Sequence, residues 1–424
     1  MKKKEKASTE DLKISKKKET KAKKKNTWCK FRHKVVRRTF IAFFKPFSYL
    51  KYNIKVEKFK EQGDRAYLIL FNHQTAFDQF FVGIAFKRPV YYVASEDLFS
   101  NGLSSALIKY LVAPIPIKKQ TTDVRAVINC MKVAKEGGTI AIAPEGNRTY
   151  SGKTEYMKDT IAQLAKALKL PIALYRIEGG YGVHPRWSDV IRRGKMKGYV
   201  SRVIEPEDYL AMTDAELMAQ IQEGLYVNEA CVSGRFKHKK SAEYLERAAY
   251  ICPKCQIGNL YSNGEYIDCL KCGLRVKYND TKELSSRDSE FNFKFFNEWY
   301  EYQMDYVRGM DTEALLGKRL FVDFESLYEV AVYKFKKRIS DCAKISLYID
   351  RMTIEYDGNF IDVPFDKVST VTVLGKNKLN IYLGDKLYQI KGDERFNAIK
   401  YVNLCYRFKA EKEGNLNGNA FLGL

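Results

Sequence analysis

The residues with the most chemical potential form the stretch Asn72-His73-Gln74-Thr75-Ala76-Phe77-Asp78, directly after the apolar run Tyr67–Phe71. An imidazole and a carboxylate five positions apart point about 140° away from each other on a continuous helix, so they share no face there. They meet only if His73 sits in a strand-to-helix turn and Asp78 comes from the helix that follows. Turns of that kind are where α/β proteins expose reactive side chains. A carboxylate beside the ring fixes its tautomer and supports the imidazolium, which lets His73 take a proton from a hydroxyl. The same spacing also suits a structural histidine at a turn.

A second group, Glu145, Gly146, Asn147 and Arg148, follows the apolar run Thr139–Ala143 and precedes Gly152. Its glycines let backbone approach a ligand closely, and Arg148 offers a planar fork for phosphate. A solvated turn would carry the same residue types. A third run, from Ala113 through Ile117, ends in the cations Lys118 and Lys119. Farther along, Cys252-x-x-Cys255 and Cys269-x-x-Cys272 enclose thirteen residues. Two such knuckles supply four thiolates for a closed, structural Zn²⁺ site of the ribbon type. A redox pair is the alternative, and the second matched pair argues against it. Cys29, Cys130, Cys231, Cys342 and Cys405 are scattered singly; a metal pattern plus ordinary thiols fits a reducing compartment.

The elements that must position these groups alternate from residue 53 to about 230 between short apolar runs and helical stretches, as in α/β architecture. Strands are expected at Tyr67–Phe71, Val90–Ala94, Thr139–Ala143 and Leu170–Ile177, and helices at Thr122–Lys135, Tyr156–Leu168 and Asp214–Gln222. Upstream, residues 27–52 interleave aromatic and basic side chains at helical spacing, with a kink expected at Pro46. Such a helix suits a lipid interface or packs on the domain beside it. Residues 1–26 are a Lys/Glu/Ser/Thr tail expected to be disordered. Residues 231–249 are polar and basic, as in a linker. Phe295, Trp299, Tyr302 and Tyr306 mark a helix with an aromatic face. From about residue 318 the period shortens to two, with strands at Met352–Tyr356, Thr370–Leu374 and Leu379–Leu383 and a closing helix near Glu394–Phe408.

With 424 residues, 45% apolar and 13% aromatic, the chain is long and apolar enough for several packed cores. Its formal charge of +23 calls for an anionic partner, either nucleic acid or anionic lipid. No secretory signal is visible, and no uncharged run reaches the roughly 18–20 residues of a spanning helix. The expectation is a protein that touches the membrane without crossing it.

The order and spacing of these groups resemble the glycerolipid acyltransferase family. Asn72–Asp78 resembles its N-H-x₄-D block, which implies catalytic roles for His73 and Asp78. Pro144–Arg148 resembles its P-E-G-T-R block, with Glu145, Gly146, Asn147 and Arg148 at substrate-binding places; Asn147 stands where the family usually has Thr. Ile115–Lys119 resembles the intermediate block, which implies a substrate-binding, phosphate-holding place for Lys119 where the family usually has Arg, and Leu170–Ala173 resembles the fourth block. The resemblance spans roughly residues 55–225. It implies an acyltransferase that moves a fatty acyl group from acyl-CoA or acyl-carrier protein to a lysophospholipid such as 1-acyl-sn-glycerol 3-phosphate.

The expected architecture is an acyltransferase-type α/β domain (53–230) behind a membrane-docking helix (27–52). The linker (231–249), a zinc ribbon (250–278), a helical connector (279–317), a β-rich domain (318–410) and a tail (411–424) follow. The β-rich region resembles pleckstrin-homology or GRAM domains in architecture, or is an unrelated small β domain. The expected location is the cytoplasmic face of a membrane, peripheral or monotopic, with an anionic lipid surface as partner. A zinc-ribbon nucleic-acid-binding protein is the rival class; it leaves the ordered blocks unexplained, so nucleic acid is not the expected partner. A catalytically silent lipid-binding scaffold is a third reading, against which both His73 and Asp78 count.

Overall fold

The computed structural model describes residues 28–99, 102–117, 123–331 and 335–415. The tail expected at 1–26, Lys118 and Lys119, and residues 416–424 lie outside the described residues.

Strand β1 (Ile54–Val56), β2 (Leu68–Phe71), β3 (Val90–Ser95), β4 (Ile115–Ile117), β5 (Thr139–Ile142), β6 (Ile172–Glu178) and β7 (Met196–Ile204) form one sheet. Its order is β1-β7-β6-β2-β5-β3-β4, and all neighbours run parallel except β6 and β7. β2 lies in the middle, and its four residues are all buried because helices cover both faces, as an interior parallel strand requires. One face packs on α1 (Phe31–Tyr52) and α2 (Asp78–Ala85) through Phe44, Tyr52, Phe81 and Val82. After α3 (Leu103–Val112), the other face packs on α4 (Val124–Lys135), α5 (Thr160–Leu168) and α6 (Asp214–Leu225) through Val133, Ala165 and Ile221.

Element types match the expectation and the ends shift by a few residues. α5 begins at Thr160 rather than Tyr156, because residues 149–155 are drawn into the loop after β5. α6 begins at Asp214, where Thr213 and Glu216 form a reciprocal capping box. α1 continues through Pro46, which sits inside the helix without ending it. Its stripe Phe44, Ser48 and Tyr52 is buried, while Phe31, Phe43 and Leu50 are 78%, 76% and 81% exposed. α1 therefore both packs on the sheet and presents an aromatic and aliphatic surface. Among the described residues no helix is long and apolar enough to cross a membrane.

The segment 231–249 is not a solvated linker throughout. Residues 231–240 are mostly exposed apart from Phe236, but Ala242, Leu245 and Ala248 are buried and the charges beside them are matched: Arg247 binds Asp189 and Glu246 binds Arg395. Paired charges give the composition of a linker to what is a packed seam. The cysteine module forms a four-stranded antiparallel sheet of β8 (Leu260–Asn263), β9 (Tyr266–Cys269), β10 (Arg275–Tyr278) and β11 (Leu284–Ser286). It thus extends past residue 278, and the connector opens with a strand before α7 (Phe296–Arg308). Trp299 on α7 is buried, and Tyr302 reaches the carbonyl of Pro253 at 3.4 Å.

The C-terminal region is a seven-stranded antiparallel sheet. Its strands are β12 (Phe321–Ala331), β13 (Phe335–Leu347), β14 (Arg351–Tyr356), β15 (Asn359–Pro364), β16 (Val368–Leu374), β17 (Lys378–Leu383) and β18 (Lys386–Lys391). A four-strand and a three-strand meander join between β12 and β18, giving the order β15-β14-β13-β12-β18-β17-β16. α8 (Ile399–Lys412) packs on this sheet, starting five residues later than expected because Glu394 and Arg395 are spent on the seam with Tyr244 and Glu246. One apolar cluster runs from Trp187 and Tyr250 through Trp299 to Leu347 and Phe365. The cysteine module, α7 and the C-terminal sheet therefore share a core.

Candidate active site

Three loops leave the carboxyl ends of the adjacent parallel strands β5, β2 and β6 side by side, the place where open α/β sheets bind ligands. The first carries His73. Asn72 continues the β2–β6 ladder with its side chain: its amide donates to the Ile177 carbonyl at 2.8 Å and accepts from the Ile177 N–H at 2.7 Å. The chain then turns away, and Asp78 returns as the first residue of α2. Asp78 is wholly buried, and its Oδ2 lies 2.8 Å from His73 Nδ1. The same oxygen accepts from the Gln74 and Thr75 N–H groups at 2.6 and 2.8 Å, and Oδ1 accepts from the Thr75 hydroxyl at 2.6 Å. One carboxylate thus shapes the turn and orients the ring. The His73 side chain is 23% exposed, so the ring is not sealed from solvent.

The second loop supports the first. Glu145 is buried, with Oε1 accepting from the His73 N–H at 2.8 Å and Oε2 from the Glu155 N–H at 2.9 Å. Burial pushes its carboxyl up to about 8, against the pull of those two donors. Both oxygens are engaged with backbone, so Glu145 brackets the 72–78 turn. Gly146 has φ +68°, the left-handed conformation that closes this loop. Asn147 and Arg148 lie half-buried beside it. The Arg148 Nη1 has no hydrogen-bond partner among the described residues. Burial, then the neighbouring Arg186 charge, lowers its guanidinium to about 10, while Asp78 favours its charge. Lys119, assigned to the same task from the sequence, lies outside the described residues.

The third loop is the part the motif reading missed. Gly180 approaches the 72–78 turn so closely that a Cβ there would meet the Gln74 Cβ at 2.6 Å. Beyond it come His184 and Arg186. His184 Nδ1 is 3.2 Å from the Tyr52 hydroxyl, and burial followed by the Arg148 charge pulls the imidazole down to about 3. Burial raises Tyr52 well above the usual phenol range. A legible signal existed: Gly179-Gly180-Tyr181-Gly182-Val183-His184 follows a buried strand as Asn72-His73 does.

The four cysteines of the two knuckles converge away from this site. Cys252 and Cys272 Sγ are 3.6 Å apart, Cys255 and Cys269 Sγ are 3.5 Å apart, and all four sulfurs lie within 4.8 Å of one another. A tetrahedron of thiolates at Zn–S of about 2.3 Å has edges of about 3.8 Å, so the cluster fits one Zn²⁺. It is too open for disulfides, whose sulfurs are about 2.0 Å apart.

Residues 52–177 match a family model described as Acyltransferase, a stretch that holds both His73–Asp78 and Glu145–Arg148. Over 165 residues the chain is 25% identical to a 1-acyl-sn-glycerol-3-phosphate acyltransferase of Bacillus subtilis (strain 168), covering 38% of this chain and 79% of that protein. A crystal structure of the 1-acyl-sn-glycerophosphate (LPA) acyltransferase PlsC from Thermotoga maritima aligns over 45% of this chain and 77% of that one, at 23% identity and a TM-score of 0.38. The chain therefore carries an acyltransferase domain and is an acyltransferase-like enzyme, similar over that domain to 1-acyl-sn-glycerol-3-phosphate acyltransferases.

Proposed function

We propose that the protein transfers a fatty acyl group from a thioester, acyl-CoA or acyl-carrier protein, to the hydroxyl of a phosphate-bearing lysophospholipid such as 1-acyl-sn-glycerol 3-phosphate. The observation that carries this reading is the 2.8 Å contact between His73 Nδ1 and the buried Asp78 carboxylate at the carboxyl end of β2. With Nδ1–H held by Asp78, the lone pair of Nε2 faces outward as a base. The acceptor hydroxyl gives its proton to Nε2 as its oxygen attacks the thioester carbonyl. The tetrahedral intermediate then expels the thiolate, which takes the proton from the imidazolium. No covalent acyl-enzyme is needed, and the turn 72–78 contains no serine or cysteine to form one. Arg148, with a free Nη1 beside this centre, suits the acceptor's phosphate.

Several features support action at an anionic membrane surface. Phe31, Phe43 and Leu50 on α1 and Leu103 and Tyr110 on α3 are exposed, and Lys34, Arg38, Lys45 and Lys51 lie exposed among them. The helices are joined by Arg32, which lies 4.1 Å over the Tyr110 ring. Apolar burial and basic charge together are the usual requirements for interfacial docking. Cys252, Cys255, Cys269 and Cys272 would hold a structural Zn²⁺, closing the small β8–β11 sheet. The C-terminal meanders with their last helix support a pleckstrin-homology or GRAM-like reading of that region.

The test is an acyltransferase assay of the purified protein with acyl-CoA or acyl-carrier protein and a panel of lysolipids. Wild type should prefer phosphate-bearing acceptors, and Arg148→Ala should raise their KM. Absence of transfer to every lysolipid would reject the reading.

A further inference from the structure

Beside Arg148 lies a polar cluster that the acyl-transfer step leaves unused. His184 is 7% exposed and Tyr52 1% exposed; the Tyr52 hydroxyl meets Nδ1, and His184 Nε2 has no partner among the described residues. The Tyr52 phenol can donate to Nδ1, and in that tautomer the neutral ring carries its proton on Nε2, a buried donor without an acceptor. Arg148 Nη1 is a second buried donor in the same condition. Besides burial, the charges that act on His184 are those of Arg148, Lys376 and Arg192, with Asp189 opposing them. Buried polar groups are nearly always satisfied, and two unsatisfied donors in a cationic setting call for an anion.

Lys376 belongs to the turn between β16 and β17, in the C-terminal sheet. That turn is tied to Arg148 through one side chain. Arg186 is 2% exposed, and its guanidinium donates to the carbonyls of Gly375 at 3.2 Å, Val373 at 3.4 Å and Arg148 at 2.9 Å. It lies 4.3 Å over the Tyr150 ring. Lys376 and Arg247 both bind Asp189, three residues beyond Arg186, which fixes the other end of the loop to the sheet and the seam. A guanidinium that satisfies three carbonyls from two regions sets their relative position, a task the single ammonium of lysine cannot repeat.

We propose that the acceptor's phosphate monoester is bound by Arg148 and His184 together, and that Arg186, held by the β16–β17 turn, is the positioning residue that keeps Arg148 aimed at it. The C-terminal sheet thereby completes the acceptor site. This deepens the acyl-transfer reading and rests on it for the identity of the anion.

The test uses the full chain with two acceptors of equal acyl length, 1-acyl-sn-glycerol 3-phosphate and neutral monoacylglycerol. His184→Asn keeps a group near Nδ1 and loses the donor at Nε2, whereas His184→Gln can restore it. His184→Asn and Arg186→Lys should each lower the ratio of kcat/KM for the phosphate acceptor to that for the neutral one about tenfold, the size of one hydrogen bond to a charged group. The fall should come from KM, and His184→Gln should recover most of it. Histidine ¹⁵N spectra give a second readout without catalysis. Glycerol 3-phosphate should shift the His184 Nε2 resonance in wild type and leave it in place in Arg148→Ala. Equal losses on both acceptors, or an unmoved His184 resonance in wild type, would overturn the proposal. Wild type inactive on every lysolipid but showing the His184 shift would reject the acyl-transfer reading and keep the anion site.

Discussion

Replacing Asp78 by Asn separates the two tasks of that carboxylate. The wild-type group accepts three bonds on Oδ2, from His73 Nδ1 and the Gln74 and Thr75 N–H groups, and one on Oδ1 from the Thr75 hydroxyl. An asparagine with its carbonyl in the Oδ2 position keeps the first three. Its amide then faces the Thr75 hydroxyl, which can rotate to accept one N–H but gives up the acceptor for its own proton. The turn survives, but its bonds lose their ionic partner. At about 1.5–3 kcal/mol for a bond to a charged group and about 0.5–1.5 for a neutral one, the loss over the three retained bonds is about 3–4.5 kcal/mol. A domain of ordinary stability, about 5–15 kcal/mol, withstands that. Catalysis has less reserve, because the charge that stabilises the developing imidazolium is gone. The fall in kcat should be about 10³–10⁴, as for the analogous change in a histidine–aspartate pair. The assay is steady-state acyl transfer with circular dichroism and a thermal melt on the same preparation. A folded Asp78→Asn variant within tenfold of wild type would show that Asp78 shapes the turn and does not support the imidazolium.

Protonation of His184 should govern the acid limb of stability. Burial holds it near 3 in the folded protein against 6.5 for the free side chain, so the unfolded chain binds the proton first. Its contribution is present above pH 6.5 and is lost as pH falls towards 3, on the order of 5 kcal/mol in full; melts from pH 7.5 to 4 should flatten in His184→Gln, and an unchanged slope would remove His184 as the cause. One Zn²⁺ per chain is expected by elemental analysis, and replacing Cys252 and Cys269 by Ser should remove it and lower the melting temperature of the shared core; zinc-free protein at full stability would count against the site. On α1, Phe43→Asp and Leu50→Asp should weaken sedimentation with anionic vesicles without lowering the melting temperature. Phe44→Asp should destabilise, because its buried ring stacks on Phe77 and packs at a tilt against Phe80; the same melting loss in all three variants would show that the exposed face is structural.

What was legible in the sequence was what local chemistry dictates. His73 and Asp78 could be placed because a helix cannot bring them together and a strand-to-helix turn can. The four cysteines were fixed by knuckle spacing. Tyr52, His184 and Arg186 were not found, because their partners are far away in the chain: Tyr52 meets His184 across 132 residues and Arg186 meets Gly375 across 189. No local pattern encodes such pairs. The buried half of 231–249 was misread for a related reason, since the charges of Glu246 and Arg247 are neutralised by Arg395 and Asp189, partners that only folding supplies. The extra strand β11 is three residues long and pairs across a turn at Lys282, whose φ of +72° is unusual for a side-chain-bearing residue.

The bond between Arg186 and the β16–β17 turn also orders events in time. During synthesis the loop after β6 leaves the ribosome 189 residues before Gly375, the carbonyl that helps brace it. At bacterial and eukaryotic elongation rates that interval is roughly 10–40 s. For about the first half of it, until Tyr278 of the cysteine module has been made, Trp187, which is wholly buried in the finished protein, lacks that cover. The parallel sheet can assemble early, yet the loop beside the 72–78 turn waits for the last sheet of the chain. A nascent acyltransferase domain is thus held back from a finished site until the β16–β17 turn arrives, and ribosome-bound chains stalled before residue 373 should be the form that chaperones recognise.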